Sequence, residues 1–425
     1  MRDLHKIASQ YILVDHFDMV YDIENSHGNF LYDKKNHRLL LDAFSFIASN
    51  PIGHNHPKLS DPDFERKLLR VAKVNPSNSD ILSDEYVEFL ETFFKIAVPS
   101  YFRDSFFIAG GTLAVENALK AAFDWKYRKL RGRGVIVNCD DLKVVHFKNA
   151  FHGRSGYTLS LTNTADPRKY DLFPKFANWP RLSAPAIHEK YTQEEQAKRD
   201  AKFLLNALDH IECQGNECAA ILIEPIQGEG GDNHFTREFH HNLRKIADEK
   251  EMLLIYDEVQ TGVGLTGKMW AHQNYDVQPD IISFGKKMQV CGILSGSRVR
   301  EVKDNVFEEK SRINSTWGGN LVDMVRSQRY LEIIHEDNLV SNARETGEYL
   351  LQKLKSLGLS NVRGQGLMCA FDLPSTSQRD EVVQRCIKNG LFILGCGTNS
   401  IRLRPSLTFT REECDLLAEL LNKSL

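Results

Sequence analysis

Asp257 stands in the run LLIYDEVQTGVG and Lys286 in IISFGKKMQVCG, each at the end of an apolar stretch. A buried carboxylate and a buried amine at two strand ends are the minimum equipment for holding pyridoxal phosphate. The carboxylate keeps the pyridine nitrogen protonated, so that the ring can act as an electron sink. The amine forms a Schiff base with the cofactor and then carries the proton. If the pair serves that purpose, the protein is an enzyme that works on amines. Taken singly, each residue has a plainer reading. An Asp after a hydrophobic strand is often a helix cap, and Lys286 has Lys287 beside it, where most lysines are solvated. The assignment therefore rests on their company.

Gly110-Gly111-Thr112 follows the strand-like DSFFIAG and opens the helical stretch LAVENALKAAFDWKYR. Two glycines let the backbone approach an anion, the first helical turn offers unpaired N–H groups, and Thr112 adds a hydroxyl. The cup is neither a P-loop nor GxGxxG, and a plain helix cap explains the same residues. Phe151-His152-Gly153-Arg154 lies just beyond the strand-like KVVHF. Phe151 could stack on a ring and Arg154 could fork onto a carboxylate, against a core Phe and a surface Arg. Order decides. Phosphate cup, aromatic, IEPIQGEGG, DEVQTG and the lysine follow one another, each at a predicted strand end, where open α/β sheets place ligands.

The elements that must position these groups are legible as apolar runs. Residues 104–110, 143–147, 219–226, 252–258 and 279–285 read as strands buried on both faces. Amphipathic stretches such as TREFHHNLRKIADEKE would cross over and shield the sheet. The fold class expected is α/β, with a large domain built on a mostly parallel sheet and a smaller α+β domain. We expect residues 1–75 to pack with the small domain, 76–320 to form the cofactor domain, and 321–425 to form the small domain. A long helix is predicted across LVDMVRSQRYLEIIHEDNLVSNARETGEYLLQKLKSL, followed by short strands near LMCAFDL, LFILGC and SIRLRPSL.

Composition excludes several classes. The chain has 425 residues, 42% hydrophobic and 26% charged, which suits an ordinary globular protein. A net charge of −3 offers no basic field for nucleic acid or an anionic membrane surface. The eight cysteines are scattered, with no CxxC pair, as expected of reduced thiols in the cytoplasm. No run approaches the roughly 20 apolar residues of a membrane helix.

FHGR, IEPIQGEGG and DEVQTG in combination resemble the class III aminotransferases, pyridoxal phosphate enzymes of fold type I, from about residue 27 onward. Within that family, FGKKMQVCG, NSTWGGNLVDMVR and GQGLMCAFDLP are similar to members acting on the terminal amine of lysine. The resemblance implies that Gly111 and Thr112 hold the phosphate, with Thr316 reaching it from the other subunit of a homodimer. Phe151 would stack on the ring, Asp257 would bind its nitrogen, and Gln260 its phenolic oxygen. Lys286 would form the Schiff base, with Lys287 in reserve because GKKMQVCG departs from the family's usual pattern. Burial and Schiff-base chemistry should lower the pKa of that lysine. The implied reaction moves the ε-amino group of L-lysine to 2-oxoglutarate, giving 2-aminoadipate 6-semialdehyde, which cyclises, and L-glutamate. Ornithine, acetylornithine or 4-aminobutyrate are alternative donors, and an aminomutase is a further alternative.

Such an enzyme must accept an uncharged methylene and a carboxylate in one place. The family resemblance implies a switch in which Glu229 masks Arg402 for the amine donor and leaves it for the keto acid, while Arg154 binds the far carboxylate. Arg404 is close enough to be confused with Arg402, and strand alternation would put both on one face. His54 and His56 in GHNHP make a poor metal site without a third ligand, so no metal is expected. Cys291 reads as a small buried hydrophobe, and HEKYTQEEQAKRD as a solvated helix face.

Overall fold

The five buried runs predicted as strands all form and join one sheet, while the short strands predicted near the C-terminus form in two others. The structure, a computed structural model, describes residues 3–425. The sheet has seven strands in the spatial order Phe102–Ile108, Cys291–Gly296, Ile281–Phe284, Leu253–Asp257, Cys218–Ile223, Lys143–Phe147 and Arg181–Leu182. The strands from Ile281–Phe284 to Arg181–Leu182 pair in parallel. Cys291–Gly296 is antiparallel to both its neighbours and closes the gap to Phe102–Ile108. This reversed strand follows directly on the lysine loop, whose tight turn is built from Lys286 at φ 48° and Gln289 at φ 66°.

Alternation along the strands sends side chains to two covered faces. Val144, Ala220, Leu222, Leu253, Ile255 and Ile281 pack with Ala118, Ala122 and Trp125 of the helix Gly111–Gly132. Val145, Ile221, Ile223, Leu254, Tyr256 and Ile282 pack in the other layer with Phe239, Leu243 and Ile246 of the helix Arg237–Glu249. Each fully buried Leu or Ile contributes about 1.5–3 kcal/mol of transfer free energy, so two-sided burial explains the continuous apolar runs. The expected crossover helix begins at its Thr236 cap, whose hydroxyl accepts from the Phe239 N–H at 3.0 Å. The charged run at 188–200 likewise enters the helix Gln193–Glu212, capped by Thr192 and Glu195. One of its carboxylates, Asp200, is buried instead of solvated and accepts from the Thr236 hydroxyl at 2.6 Å.

Two four-stranded sheets flank this core. One holds Tyr21–His27, Phe30–Asp33 and Arg38–Asp42 with Leu391–Phe392 from the far end of the chain, in the register Leu41 with Leu391. The other holds Ser360–Gln365, Met368–Asp372, Ser400–Leu403 and Leu394–Cys396. The long helix predicted after Gly319 is two helices, Leu321–Glu336 and Leu339–Ser356. Asn338 breaks it in the left-handed region at φ 53°, which asparagine tolerates better than most residues. No helix among the described residues is long and apolar enough to cross a membrane. The cysteines are free thiols, and five of them are buried.

Candidate active site

The strand ends converge on a cavity of about 330 Å³ whose wall includes Gly111, Thr112, Phe151, Asp257, Gln260 and Lys286. At one end the helix Gly111–Gly132 presents its first turn with neither a capping side chain nor an acidic residue. Its N–H groups and positive dipole end are therefore free to face an anion. Gly110 sits at φ 103°, a region open to glycine. A Cβ on Gly111 would meet Val259 Cγ1 at 2.9 Å, so the side chain that is missing there keeps the cup open.

Asp257 closes its strand and is 5% exposed. Its Oδ2 meets His152 Nδ1 at 2.8 Å, and its Oδ1 accepts from Ser283 Oγ and the Val259 N–H, both at 3.1 Å. A carboxylate held at both oxygens is fixed in direction. Glu224, also in the cavity wall, accepts from the Phe151 N–H at 3.0 Å and the Gly228 N–H at 2.9 Å. Burial, reinforced by the nearby charge of Asp257, pushes its carboxyl up to about 7. Sequence reasoning missed His152, Ser283 and Glu224 as partners, although His152 stands inside the FHGR motif.

Lys286 reaches the cavity and Lys287 does not. Burial, and then the positive charge of Arg402, lower the Lys286 amine to about 8, against opposing pulls from Glu224 and Asp257. Lys287 turns away, and its Nζ donates to the carbonyls of Ala48 at 3.1 Å and Gln260 at 2.9 Å. Gly285 is small because a Cβ there would meet Cys291 Sγ at 2.9 Å. Cys291 thus belongs to the cavity wall, where burial raises its thiol above the ordinary range. The turn Ser45–Ala48, which receives Lys287, runs through left-handed φ of 41° to 62° without a glycine. Such conformations cost about 1–2 kcal/mol per residue, so the packing around the lysine loop must hold them in place.

The two arginines near the C-terminus have separate partners. Arg402 Nη2 donates to Glu229 Oε2 at 2.7 Å, while its buried Nη1 has no partner. Arg404 donates to Gln260 Oε1 at 3.1 Å and to Asp232 Oδ2 at 2.5 Å. Both arginines are buried, Arg402 within the strand Ser400–Leu403 and Arg404 just past its end. Glu229 also pairs with Lys169, a residue that no motif contained. Burial would raise the Glu229 carboxyl, but the charge of Arg402 and the contacts of Lys169 and Arg402 bring it below the usual range. A second cavity, of about 620 Å³, opens on the Lys169 side of Glu229.

Four expected site residues lie outside the smaller cavity's wall: Glu229 and Arg402, which pair as described, and Arg154 and Thr316. Arg154 is exposed, with its guanidinium carbon 5.9 Å from the Phe151 ring centroid. Thr316 is exposed on a loop where its carbonyl accepts from Ser77 Oγ at 2.6 Å. His54 bonds Asp42 at 2.9 Å and the Tyr21 hydroxyl at 3.0 Å, so both of its ring nitrogens are engaged within the fold.

The site fits pyridoxal phosphate: an uncapped helix end for the phosphate, an oriented carboxylate at depth, an aromatic wall and one buried amine of lowered pKa. A family model described as aminotransferase class-III matches residues 11–425. The chain is 46% identical to an L-lysine-epsilon aminotransferase of Mycobacterium tuberculosis, covering 97% of this chain and 93% of that protein. It is 45% identical to one of Amycolatopsis lactamdurans, covering 100% and 96%. A solved lysine aminotransferase of M. tuberculosis superposes with a TM-score of 0.96 at 45% identity, covering 99% of this chain and 98% of that one. The chain belongs to the class-III aminotransferases, enzymes that use pyridoxal 5′-phosphate.

Proposed function

We propose that this chain transfers the ε-amino group of L-lysine to 2-oxoglutarate, forming 2-aminoadipate 6-semialdehyde and L-glutamate. The observation that carries the reading is the Glu229–Arg402 pair, a buried arginine masked by a carboxylate that side-chain rotation can remove. Masked, the site suits the methylenes of lysine; unmasked, it suits a keto acid's carboxylate. The lysine-epsilon aminotransferases named above support lysine as the donor.

When bound, the cofactor supplies an aldehyde that carries the amino group and a pyridinium ring that draws electrons from the reacting carbon. Gly111 and Thr112 would hold its phosphate, Phe151 would lie against the ring, and Gln260 would face its phenolic oxygen. Asp257, steadied by His152 and Ser283, keeps the proton on the ring nitrogen. Lys286 would attach the cofactor and, in its freed neutral form, would take the proton from the lysine Cε. A pKa of about 8 leaves enough of that amine uncharged near neutral pH for proton transfer. Arg154 takes the substrate's far carboxylate. In a homodimer, Thr316 of the partner subunit completes the phosphate site, which accords with its exposure here. Residues 76–320 form the cofactor domain and 321–425 the small domain. Of the segment 1–75, whose first two residues lie outside the described ones, residues 3–75 pack with the small domain, and the pairing of Leu41 with Leu391 supports that division.

Steady-state turnover with competing donors tests the reading. Lysine should give a higher kcat/KM than ornithine, acetylornithine or 4-aminobutyrate, with a cyclic imine as product. A higher value for another donor would reassign the substrate, and conversion without any keto acid would indicate a mutase.

A further inference from the structure

We propose that Lys169 is a positioning residue for the keto-acid half of the reaction: it retains Glu229 when the substrate carboxylate displaces that glutamate from Arg402. The inference rests on the alternation of Glu229 and Arg402 proposed above.

Lys169 ends the short turn Pro167–Lys169, far in sequence from every motif of the site. Its Nζ contacts Glu229 Oε1, while Arg402 Nη2 contacts Oε2 at 2.7 Å. One carboxylate is thus shared between two cations. Among these three groups one negative charge faces two positive ones, and the buried Nη1 of Arg402 has no hydrogen-bond partner. A keto acid supplies both missing features, a charge and an acceptor. Lysine, with methylenes in that place, supplies neither and leaves the shared arrangement intact.

The geometry also says where Glu229 goes. Its backbone carbonyl accepts from the Gly397 N–H at 2.9 Å, which ties the main chain and leaves rotation to the side chain. Lys169 and Glu229 both line the cavity of about 620 Å³, and Arg402 does not. Space for the displaced side chain therefore lies on the lysine's side. After displacement, Arg402 holds the substrate carboxylate and Lys169 alone holds Glu229, so each charge has one partner. Arg168 and Arg379 also line that cavity but are paired with Asp166 and Asp380, so without Lys169 the displaced glutamate would lose the cation that touches it there and would stay on Arg402 in competition with the keto acid.

Single-turnover half-reactions of the holoenzyme, followed by cofactor absorbance, test the role. For Lys169→Met the second-order rate constant with 2-oxoglutarate should fall about tenfold, the worth of a charge-assisted hydrogen bond, while that with L-lysine changes less than about twofold. Lys169→Arg should restore most of the loss. In a Glu229→Ala background, Lys169→Met should have no further effect on the keto-acid half. Equal losses in both halves, or a full additional loss in the Glu229→Ala background, would overturn the role. Glu229→Ala alone reports on the underlying switch. If it slows both halves equally, the switch fails and this proposal with it; if it separates them while Lys169→Met does not, only the role of Lys169 fails.

Discussion

Lys286 and Lys287 are neighbours in the chain with opposite fates: Lys286 opens into the site cavity, whereas Lys287 is tied to the carbonyls of Ala48 and Gln260. The left-handed backbone at Lys286 separates the two directions. Lys286→Ala should abolish turnover and borohydride-stable attachment of the cofactor, read by mass spectrometry of the reduced protein. Lys287→Met should keep the attachment but lower stability by about 1–3 kcal/mol, because two buried carbonyls lose their donor. Attachment that survives in Lys286→Ala would move the role to Lys287.

Asp257 owes its direction to His152 and Ser283, so an isosteric amide keeps the shape and the Oδ1 contacts while it removes the charge and turns the acceptor facing His152 into a donor. Asp257→Asn should retain attached cofactor while slowing the lysine half-reaction about 10²–10⁴-fold, the range typical of a lost proton-holding group. An unchanged rate in stopped flow would remove Asp257 from the proton relay.

The strand-end motifs were legible because each couples a local signal, an apolar run, to the chemistry that follows it. Gly111, Asp257 and Lys286 come together through sheet order alone, and parallel strands with covered faces leave long apolar runs in the chain. What stayed hidden depends on contacts with no local signature. Lys169 meets Glu229 across a distant loop, and Glu258 spends its carboxylate on His272 Nδ1 and on the N–H groups of Ala271 and His272. Glu258 sits inside DEVQTG yet supports the loop and faces away from the cavity. The break at Asn338 interrupts a pattern whose apolar spacing carries on through it. The strain in Ser45–Ala48 has no glycine to announce it.

The lowered pKa of Lys286 gives a pH signature. An ordinary lysine stays an ammonium up to about 10.5, but here the neutral, nucleophilic form prevails above about 8. Cofactor capture by the apoenzyme should accelerate about tenfold per pH unit below that point and level off above it. A rate that keeps climbing to pH 10 would mean that burial does not lower this amine.

Glu229 is expected to matter more for the amine than for the keto acid. In Glu229→Ala the guanidinium of Arg402 would face lysine's methylenes unmasked, a buried charge without a partner. The lysine half-reaction should therefore lose at least about tenfold more than the 2-oxoglutarate half-reaction. Equal losses in single-turnover experiments would count against the switch.

The central claim, transfer of the terminal amine of lysine to a keto acid, is tested most directly with L-lysine carrying nitrogen-15 at the ε position. Incubated with the holoenzyme and 2-oxoglutarate, it should place the label in glutamate and leave the α-nitrogen of the cyclised product unlabelled. Glutamate without the label, or label retained in the lysine-derived product, would contradict the account.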